Sequence, residues 1–278
     1  MVGRLSQVHP RLGLNSLSTA SWPLERDLEL YADLGVRRAG LFLDKLVACG
    51  EDRAVDLVKD AALAVDHVFA RGVVPADPGS WAADRRRLLG ALEVAESLGA
   101  PVLTITTGAA GRLEWDQAAA ALAEALEPVL ADAHRRSITV AIEQTLPVRV
   151  EVGFVHSFAD SVTLADRLGQ GIGVVLEAGY CFAERDLEGS VGSAAGAGRL
   201  AAVQLSDLVT PSATIPDRAV PGDGVIPLER IVRLALDNGY QGAFELEMLG
   251  PRIEAEGYAA ACQRAVHFID ELLTRMEA

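Results

Sequence analysis

The most regular feature of the chain is a repeat in which an amphipathic stretch ends at a glycine or a short polar break and an apolar run follows. Apolar spacing of three and four residues in the first part predicts a helix, and the continuous apolar run in the second part predicts a buried strand. The predicted helices with a following strand lie at 24–35, 52–64, 81–100, 116–137, 157–171 and 227–241. Their strands lie at 36–43, 65–72, 101–108, 138–145, 172–180 and 242–249.

One unit of this repeat is weaker than the others. The strand at 199–207 is preceded by the Gly-rich stretch 189–198, a poor helix former that leaves a short turn or loop as an alternative. An opening strand at 11–17 and a closing helix at 254–276 bring the pattern to eight strands and eight crossovers.

Strands that alternate with helices favour parallel pairing, because a parallel connection needs a crossover of a dozen or more residues. An open doubly wound sheet satisfies the same rule, but it normally carries a Gly-rich phosphate turn after its first strand, and LNSLSTASWP is not one. Eight near-equal units in 278 residues favour closure. We therefore predict an α/β fold, a single (β/α)8 TIM barrel with a closed parallel sheet, as one domain over residues 1–278.

Composition and charge narrow the class of protein further. With 50% hydrophobic residues the chain can bury a large core, which argues against disorder. Lys plus Arg is 25 against 39 for Asp plus Glu, a net charge of −14, so neither nucleic acid nor a membrane surface is an expected partner. The three cysteines form no CxxC pair, and the N-terminus shows no export signal. We expect a soluble cytoplasmic protein.

Polar residues stand where four successive predicted strands end. They are Glu143, Glu177, Gln204 and, on the last strand, Glu245 and Glu247. A single carboxylate there commonly caps the next helix or pairs with an arginine. In a barrel, however, chemistry collects at the carboxyl ends of the strands, so four such ends in a row favour a converging site.

Carboxylates that converge in a low-dielectric barrel mouth need either raised pKa values or a cation. Carboxylate and amide oxygens suit Mn²⁺ or Mg²⁺, with Co²⁺ as a further candidate, whereas the absence of His and Cys from these strand ends argues against a zinc-type site. Glu245 and Glu247 share one face of their strand, and Glu247 is preferred because it lies nearer the strand end. Asp207 is out of phase with Gln204 and is expected to orient a loop or a helix N-terminus.

The segments QLSD, DRAVPGDGVIPLERIV and GYQGAFELEML, together with AIEQ and VVLEAGY, carry a family resemblance. The chain resembles, over its whole length, the xylose isomerase-like barrel superfamily, which includes the sugar-phosphate isomerase/epimerase family. The glutamine on the seventh strand is similar to that of the hydroxypyruvate isomerase and 3-dehydroshikimate dehydratase branches. The resemblance implies four metal ligands and a residue that anchors the substrate, Arg218. The ligands are Glu143, Glu177, Gln204 and Glu247.

Two positions depart from the pattern of that superfamily. Most members end the sixth strand with Asp and have His three residues later, whereas this chain has Glu177 and Tyr180. Glutamate is longer by one methylene, and a phenol replaces an imidazole. Either the substrate differs from the usual ketoses, or the metal site is weakened.

The resemblance implies an isomerase or epimerase that depends on a divalent metal and acts on a keto-sugar, a sugar phosphate or a cyclic polyol. The reaction would remove a proton next to a carbonyl through a metal-bound enediolate, with Glu143 and Glu247 transferring protons on opposite faces of the substrate. A homodimer is a further expectation from this group of barrels.

Other functions stay open. A dehydratase of the 3-dehydroshikimate or keto-inositol type would use the same enediolate and an acid from Tyr180, His67 or Lys45, which are also the candidate substrate-binding residues besides Arg218. Lys45 is predicted to end the second strand and His67 to lie in the third, where a surface lysine and a packed core histidine are their ordinary interpretations. A barrel that binds a small molecule without catalysis is another alternative. The superfamily's endonuclease branch fits poorly, because its zinc site needs several histidines and the acidic charge opposes DNA.

Overall fold

The computed structural model describes residues 8–277 of the chain. Within this range the strands are β1 Leu12–Leu14, β2 Arg38–Phe42, β3 Ala64–Ala70, β4 Val102–Ile105, β5 Thr139–Ile142, β6 Ile172–Glu177, β7 Leu200–Leu205 and β8 Phe244–Leu246. The longer helices are α1 Leu24–Leu34, α3 Glu51–Asp60, α4 Trp81–Leu98, α5 Trp115–Arg136, α6 Phe158–Leu168, α8 Leu187–Gly196, α9 Leu228–Asp237 and α11 Tyr258–Glu277. The short helices are α2 Leu43–Cys49, α7 Ala178–Cys181, α10 Pro251–Glu256 and a 3₁₀ turn at Ser16–Thr19.

The eight strands belong to one sheet with the order β1, β8, β7, β6, β5, β4, β3, β2. The strand pairs with a defined register are all parallel. β1 and β2, the two ends of that order, lie side by side, since a Cβ on Gly13 would be 3.6 Å from the carbonyl oxygen of Arg38. The predicted α/β fold, a (β/α)8 TIM barrel, is confirmed.

The chain divides into two compact units. The first comprises Met1–Asp66 and Val203–Ala278, and the second comprises His67–Ala202. The first unit contains β1, β2, β8 and the carboxyl half of β7, and the second contains β4, β5, β6, the amino half of β7 and most of β3. The prediction of one domain over residues 1–278 stays a prediction.

In the second unit a layer of small and medium apolar side chains fixes which face of each strand points into the sheet's core. Val102, Ala141, Val175 and Ala202 pack together there. Because side chains alternate along a strand, Glu143 and Glu177 follow Ala141 and Val175 on the same face, two residues further toward the carboxyl ends. The sequence pattern thus directs both carboxylates to the interior face.

The Gly-rich segment before β7 is a helix, so the turn or loop considered as an alternative is wrong. Leu187, Val191 and Ala194 are all buried, at the four- and three-residue spacing of one helix face. This face packs against α6. Burial of that face outweighs the low helix propensity of the glycines.

Lys45 does not end the second strand as predicted. β2 ends at Phe42, and Lys45 lies inside α2. The apolar run LFL continues from the strand into the first turn of the helix, and periodicity alone cannot divide so short a run.

The predictions about targeting have different outcomes. The absence of an export signal concerns, in large part, residues 1–7, which lie outside the described residues. Across residues 8–277, none of the helices combines the length and the apolar character that a membrane span needs.

Two glycines of the second unit test whether backbone conformation and close packing require glycine at a given position. Gly108 has φ of 70°, and a Cβ there would lie 2.1 Å from the carbonyl oxygen of Val73. Gly108→Ala should therefore lower the free energy of unfolding by about 2–4 kcal/mol through backbone strain and overpacking. Gly90, inside α4, would have no atom within 4 Å of its Cβ, so Gly90→Ala should raise it by about 0.5–1 kcal/mol. Denaturant unfolding of both variants measures this, and an unchanged Gly108→Ala would contradict it.

Candidate active site

Four polar side chains of the first unit meet at the carboxyl ends of β1, β7 and β8. They are Asn15, Gln204, Glu245 and Glu247, and their side chains are nearly inaccessible, with relative exposures of 0%, 0%, 3% and 4%. The strand register brings them together, because Glu245 lies opposite Gln204 on one side and opposite Gly13 on the other. We call these four residues the amide–carboxylate cluster.

Hydrogen bonds from the two amides connect the two carboxylates of the cluster. Asn15 Nδ2 donates to Glu245 Oε2 and to Glu247 Oε2, each at 3.0 Å. Gln204 Nε2 donates to Glu247 Oε2 at 2.7 Å and to Glu245 Oε2 at 3.4 Å. The shared donors offset the repulsion between two carboxylates held close together in a buried place.

Asn15 was missed by the sequence reasoning, although a signal for it exists. It directly follows the apolar strand LGL, so the rule that polar strand ends form the site would have included it. Its orientation is fixed because Oδ1 accepts a hydrogen bond from the Leu17 N–H at 2.9 Å, which turns Nδ2 toward the carboxylates.

The oxygen of the Gln204 amide is the atom that tests whether the cluster suits a cation. Gln204 Oε1 is buried and has no hydrogen-bond partner among the described residues, while Nε2 of the same amide bonds to Glu247. A buried amide oxygen beside a carboxylate is a donor set that hard divalent cations accept. Within residues 8–277, no group of three or more His, Cys, Asp and Glu side chains has a preformed metal-binding arrangement. The fit to a cation thus rests on the oxygen donors that Gln204 and Glu247 offer, not on a preformed arrangement of ligands.

Glu143 and Glu177 belong to the second unit. Glu177 is the last residue of β6 and is fully buried, and Glu143 follows β5 with 5% of its surface exposed. The Glu143 N–H donates to the Ile105 carbonyl oxygen at 2.9 Å, which continues the sheet pairing past the strand end. Because β5 and β6 are adjacent and parallel, both carboxylates lie at the same edge of that unit's strands.

Tyr180 and His67 also lie in the second unit. Tyr180 is half-buried in α7, the short helix that begins directly after Glu177. His67 is buried on β3 in register with Val102, so it faces the apolar layer described above. Their predicted roles in substrate binding stay predictions.

Lys45 lies in the first unit within a buried polar group. Its Nζ contacts Asp27 Oδ2 at 2.6 Å and the carbonyl oxygen of Thr19 at 2.9 Å, and Thr19 Oγ1 donates to Asp27 Oδ1 at 2.6 Å. Burial raises the pKa of Asp27 to about 6 and lowers the pKa of Lys45. The ion pair accounts for the position of Lys45 without a substrate, and the ordinary interpretation as a surface lysine is wrong.

Asp207 organises the loop that follows β7. Its Oδ2 accepts hydrogen bonds from the N–H groups of Gly222 and Gly224, and its Oδ1 accepts from those of Leu208 and Ile226. Arg218 is on the same loop and is 2% exposed. The backbone N–H of Arg218 donates to the Leu249 carbonyl oxygen at 3.0 Å, which joins the loop to the segment after β8.

The family comparison agrees with this fold. Residues 31–270 match the model of the xylose isomerase-like TIM barrel family. The chain belongs to the xylose isomerase-like TIM barrel family. No curated protein matches the chain.

Solved structures similar to this chain cover nearly all of it. Protein SMc04130 from Sinorhizobium meliloti 1021 has 22% identity and a TM-score of 0.83, covering 95% of this chain and 98% of its own. The IolI protein, solved with a bound zinc atom, has 18% identity, a TM-score of 0.82 and the same coverage. The D-psicose 3-epimerase from Clostridium cellulolyticum H10 has 15% identity, a TM-score of 0.74 and coverages of 95% and 99%. At these identities the likeness concerns the fold.

The loop after β7 can be tested through Asp207. Asp207→Asn replaces one of two acceptor oxygens with a donor that faces N–H groups, so two of the four hydrogen bonds are lost. We expect the free energy of unfolding to fall by about 3–6 kcal/mol, since two hydrogen bonds to a charged group are lost and each contributes about 1.5–3 kcal/mol. Chemical denaturation gives the value, with Glu229→Gln, an exposed carboxylate on α9, as the matched control. Equal stability of the two variants would refute this role.

The buried ion pair can be tested with Lys45→Met. Removal of the cation leaves Asp27 buried without its partner, which should destabilise the fold by about 3–5 kcal/mol at neutral pH. Burial raises the folded-state pKa of Asp27 to about 6, so the folded state binds the carboxyl proton more tightly than the unfolded state does. The stability that protonation of Asp27 contributes is therefore lost as the pH rises through about 6. Protonation of Asp27 removes its unpaired charge, so the destabilisation caused by Lys45→Met should shrink as the pH falls through about 6. The free energy of unfolding of Lys45→Met, measured across pH, tests this prediction, with Lys59→Met on the exposed face of α3 as the control. A destabilisation that grows on acidification would contradict the role of the ion pair.

Proposed function

We propose that the chain is an isomerase or epimerase that depends on a divalent metal and acts on a keto-sugar, a sugar phosphate or a cyclic polyol. The observation that carries the proposal is the amide–carboxylate cluster, which buries two carboxylates at strand ends and leaves Gln204 Oε1 without a partner among the described residues. An epimerase among the solved structures of the same fold supports the choice of reaction class.

The proposed ligands are Glu143, Glu177, Gln204 and Glu247, all of them carboxylate or amide side chains. Oxygen donors favour Mn²⁺ or Mg²⁺, with Co²⁺ as a further candidate. The zinc atom in the IolI structure supports the use of a divalent ion by this fold without deciding which ion this chain takes. When bound, such an ion acts as a Lewis acid that polarises a carbonyl oxygen.

The side chains of this protein would bind the substrate and move its proton. Glu247 is held in one orientation by Asn15 and Gln204, as a carboxylate that accepts a proton from carbon must be. Glu143, on the other unit, is the proposed partner that returns the proton. Arg218 would hold an anionic or hydroxyl group of the substrate from the loop after β7. The near-complete burial of both glutamates would exclude water from the proton transfer.

A dehydratase is the second candidate, and the position of Tyr180 favours it. Tyr180 is half-buried in α7, three residues after the β6 carboxylate Glu177, and its phenol is the proposed acid for a leaving hydroxyl group. Lys45 is engaged by Asp27 and suits that role less well. The net charge of −14 supports a small-molecule substrate over DNA.

Deuterium exchange tests the proposal. The purified protein is incubated with keto-sugars, sugar phosphates and cyclic polyols in D₂O, with Mn²⁺ or with EDTA, and uptake is followed by NMR. We expect Mn²⁺-dependent deuterium uptake next to a carbonyl. Glu143→Gln and Glu247→Gln should lower its rate by about 10²–10⁴-fold, because each removes a proton-transfer group.

The matched control for these variants is Glu127→Gln, an exposed carboxylate on α5, which should exchange at the wild-type rate. Loss of water from the substrate would select the dehydratase. Ligand binding without exchange in the presence of metal would select a non-catalytic binding barrel and contradict the proposal.

A further inference from the structure

We infer that Asn15 and Glu245 are positioning residues, which together hold Glu247 and Gln204 in the orientation that the reaction needs. The inference rests on the proposed function and specifies how the first unit builds its part of the site. It also divides the roles of the two glutamates of β8, which share one face of the strand: Glu247 moves the proton, and Glu245 supports it.

The hydrogen bonds of the cluster form a closed ring. Each amide NH₂ group has two hydrogens, and each amide directs one of them to each carboxylate. Glu245 Oε2 is therefore an acceptor that both amides share, and this second acceptor adds to the bonds that direct each amide toward Glu247. Removing Glu245 would leave one hydrogen of each amide without this acceptor, while Gln204 stays bonded to Glu247 and Asn15 stays bonded to Glu247 and to the Leu17 N–H.

The backbone around Glu247 is fixed by the turn that carries Asn15. The Asn15 N–H donates to the Leu246 carbonyl oxygen at 2.8 Å. Ser18 Oγ donates to that same oxygen at 3.2 Å and accepts from the Met248 N–H at 3.0 Å. The turn at Ser16–Thr19 thus contacts the residue on each side of Glu247.

Glu245 lies deeper in the strand than Glu247. It stands in register between Gly13 and Gln204. A residue in this position serves the site as a hydrogen-bond acceptor, and a neutral acceptor of the same size can fill that role. An essential proton carrier, in contrast, cannot be replaced by an amide.

Four variants test the inference by metal-dependent deuterium exchange, resolved into kcat and KM. Glu245→Leu and Asn15→Leu should lower kcat by about 10–100-fold, the usual effect of losing a group that orients a ligand or catalytic side chain. Glu245→Gln keeps an acceptor oxygen and should exchange at least tenfold faster than Glu245→Leu. Asn15→Asp turns a donor into an acceptor that faces two carboxylates, and it should be no better than Asn15→Leu. Glu229→Gln serves as the exposed carboxylate control in the same unit.

Mn²⁺ binding, followed by the EPR signal of the free ion, gives a readout that is independent of turnover, and denaturant unfolding reports stability. We expect the two leucine variants to bind Mn²⁺ about 10–100-fold more weakly. Because Glu245→Gln and Glu245→Leu are compared with each other, a general loss of stability that both share does not produce the expected difference.

The outcomes separate this inference from the proposed function. If the wild type exchanges and Glu245→Gln is as slow as Glu245→Leu, Glu245 is a proton carrier and the inference is overturned. Wild-type kcat and Mn²⁺ affinity in Asn15→Leu would overturn it as well. If the wild type itself shows no metal-dependent exchange, the proposed function fails and this inference fails with it.

Discussion

Two buried carboxylates two residues apart, Glu245 on the short strand β8 and Glu247 directly after it, are the constraint on which the first unit depends. Glu245 and Glu247 would repel each other in a medium that screens charge poorly, and burial removes the water that would otherwise solvate them. The side-chain amides of Asn15 and Gln204 offset this repulsion by donating hydrogen bonds to both carboxylates. The three strands β1, β7 and β8 must keep one register for these contacts to exist, so the polar cluster and the sheet pairing support each other.

The same solution recurs at the other buried charges of this unit. Asp207 receives four backbone N–H groups, which fold the loop after β7 around one carboxylate. Lys45 and Asp27 form an ion pair with Thr19 attached to both partners. Buried charges tolerate only geometries that satisfy them, and this makes the loops and turns near the strand ends as well defined as the strands.

Much of the fold could be predicted from the sequence, because helix periodicity and apolar strand runs are local signals. Eight parallel strands with helical crossovers are present as expected. The helical structure of the Gly-rich α8 was harder to predict, because Leu187, Val191 and Ala194 form a buried face only by packing against α6. That packing is a tertiary effect. The prediction that Lys45 ends the second strand was wrong, because an apolar run that continues from strand to helix carries no boundary signal.

The site was predictable in its residue types and less so in its contacts. Glu143, Glu177, Gln204 and Glu247 stand at or beside strand ends as the pattern indicated. The pairing of Asn15 with Glu245 could not be read from the chain, because the two are 230 residues apart and meet only through the register of β1 with β8. Long-range register is what a single sequence specifies least directly.

The central claim is that the amide–carboxylate cluster supplies ligands for a divalent cation, and a Mn²⁺ titration of the purified protein tests it most directly. Gln204→Leu removes the buried amide oxygen that lacks a partner among the described residues and alters no carboxylate. We predict that the wild type binds Mn²⁺ at a single tight site and that Gln204→Leu, with unchanged circular dichroism, binds it at least tenfold more weakly. A wild-type protein that binds no Mn²⁺, or a Gln204→Leu variant with wild-type affinity, would contradict the account.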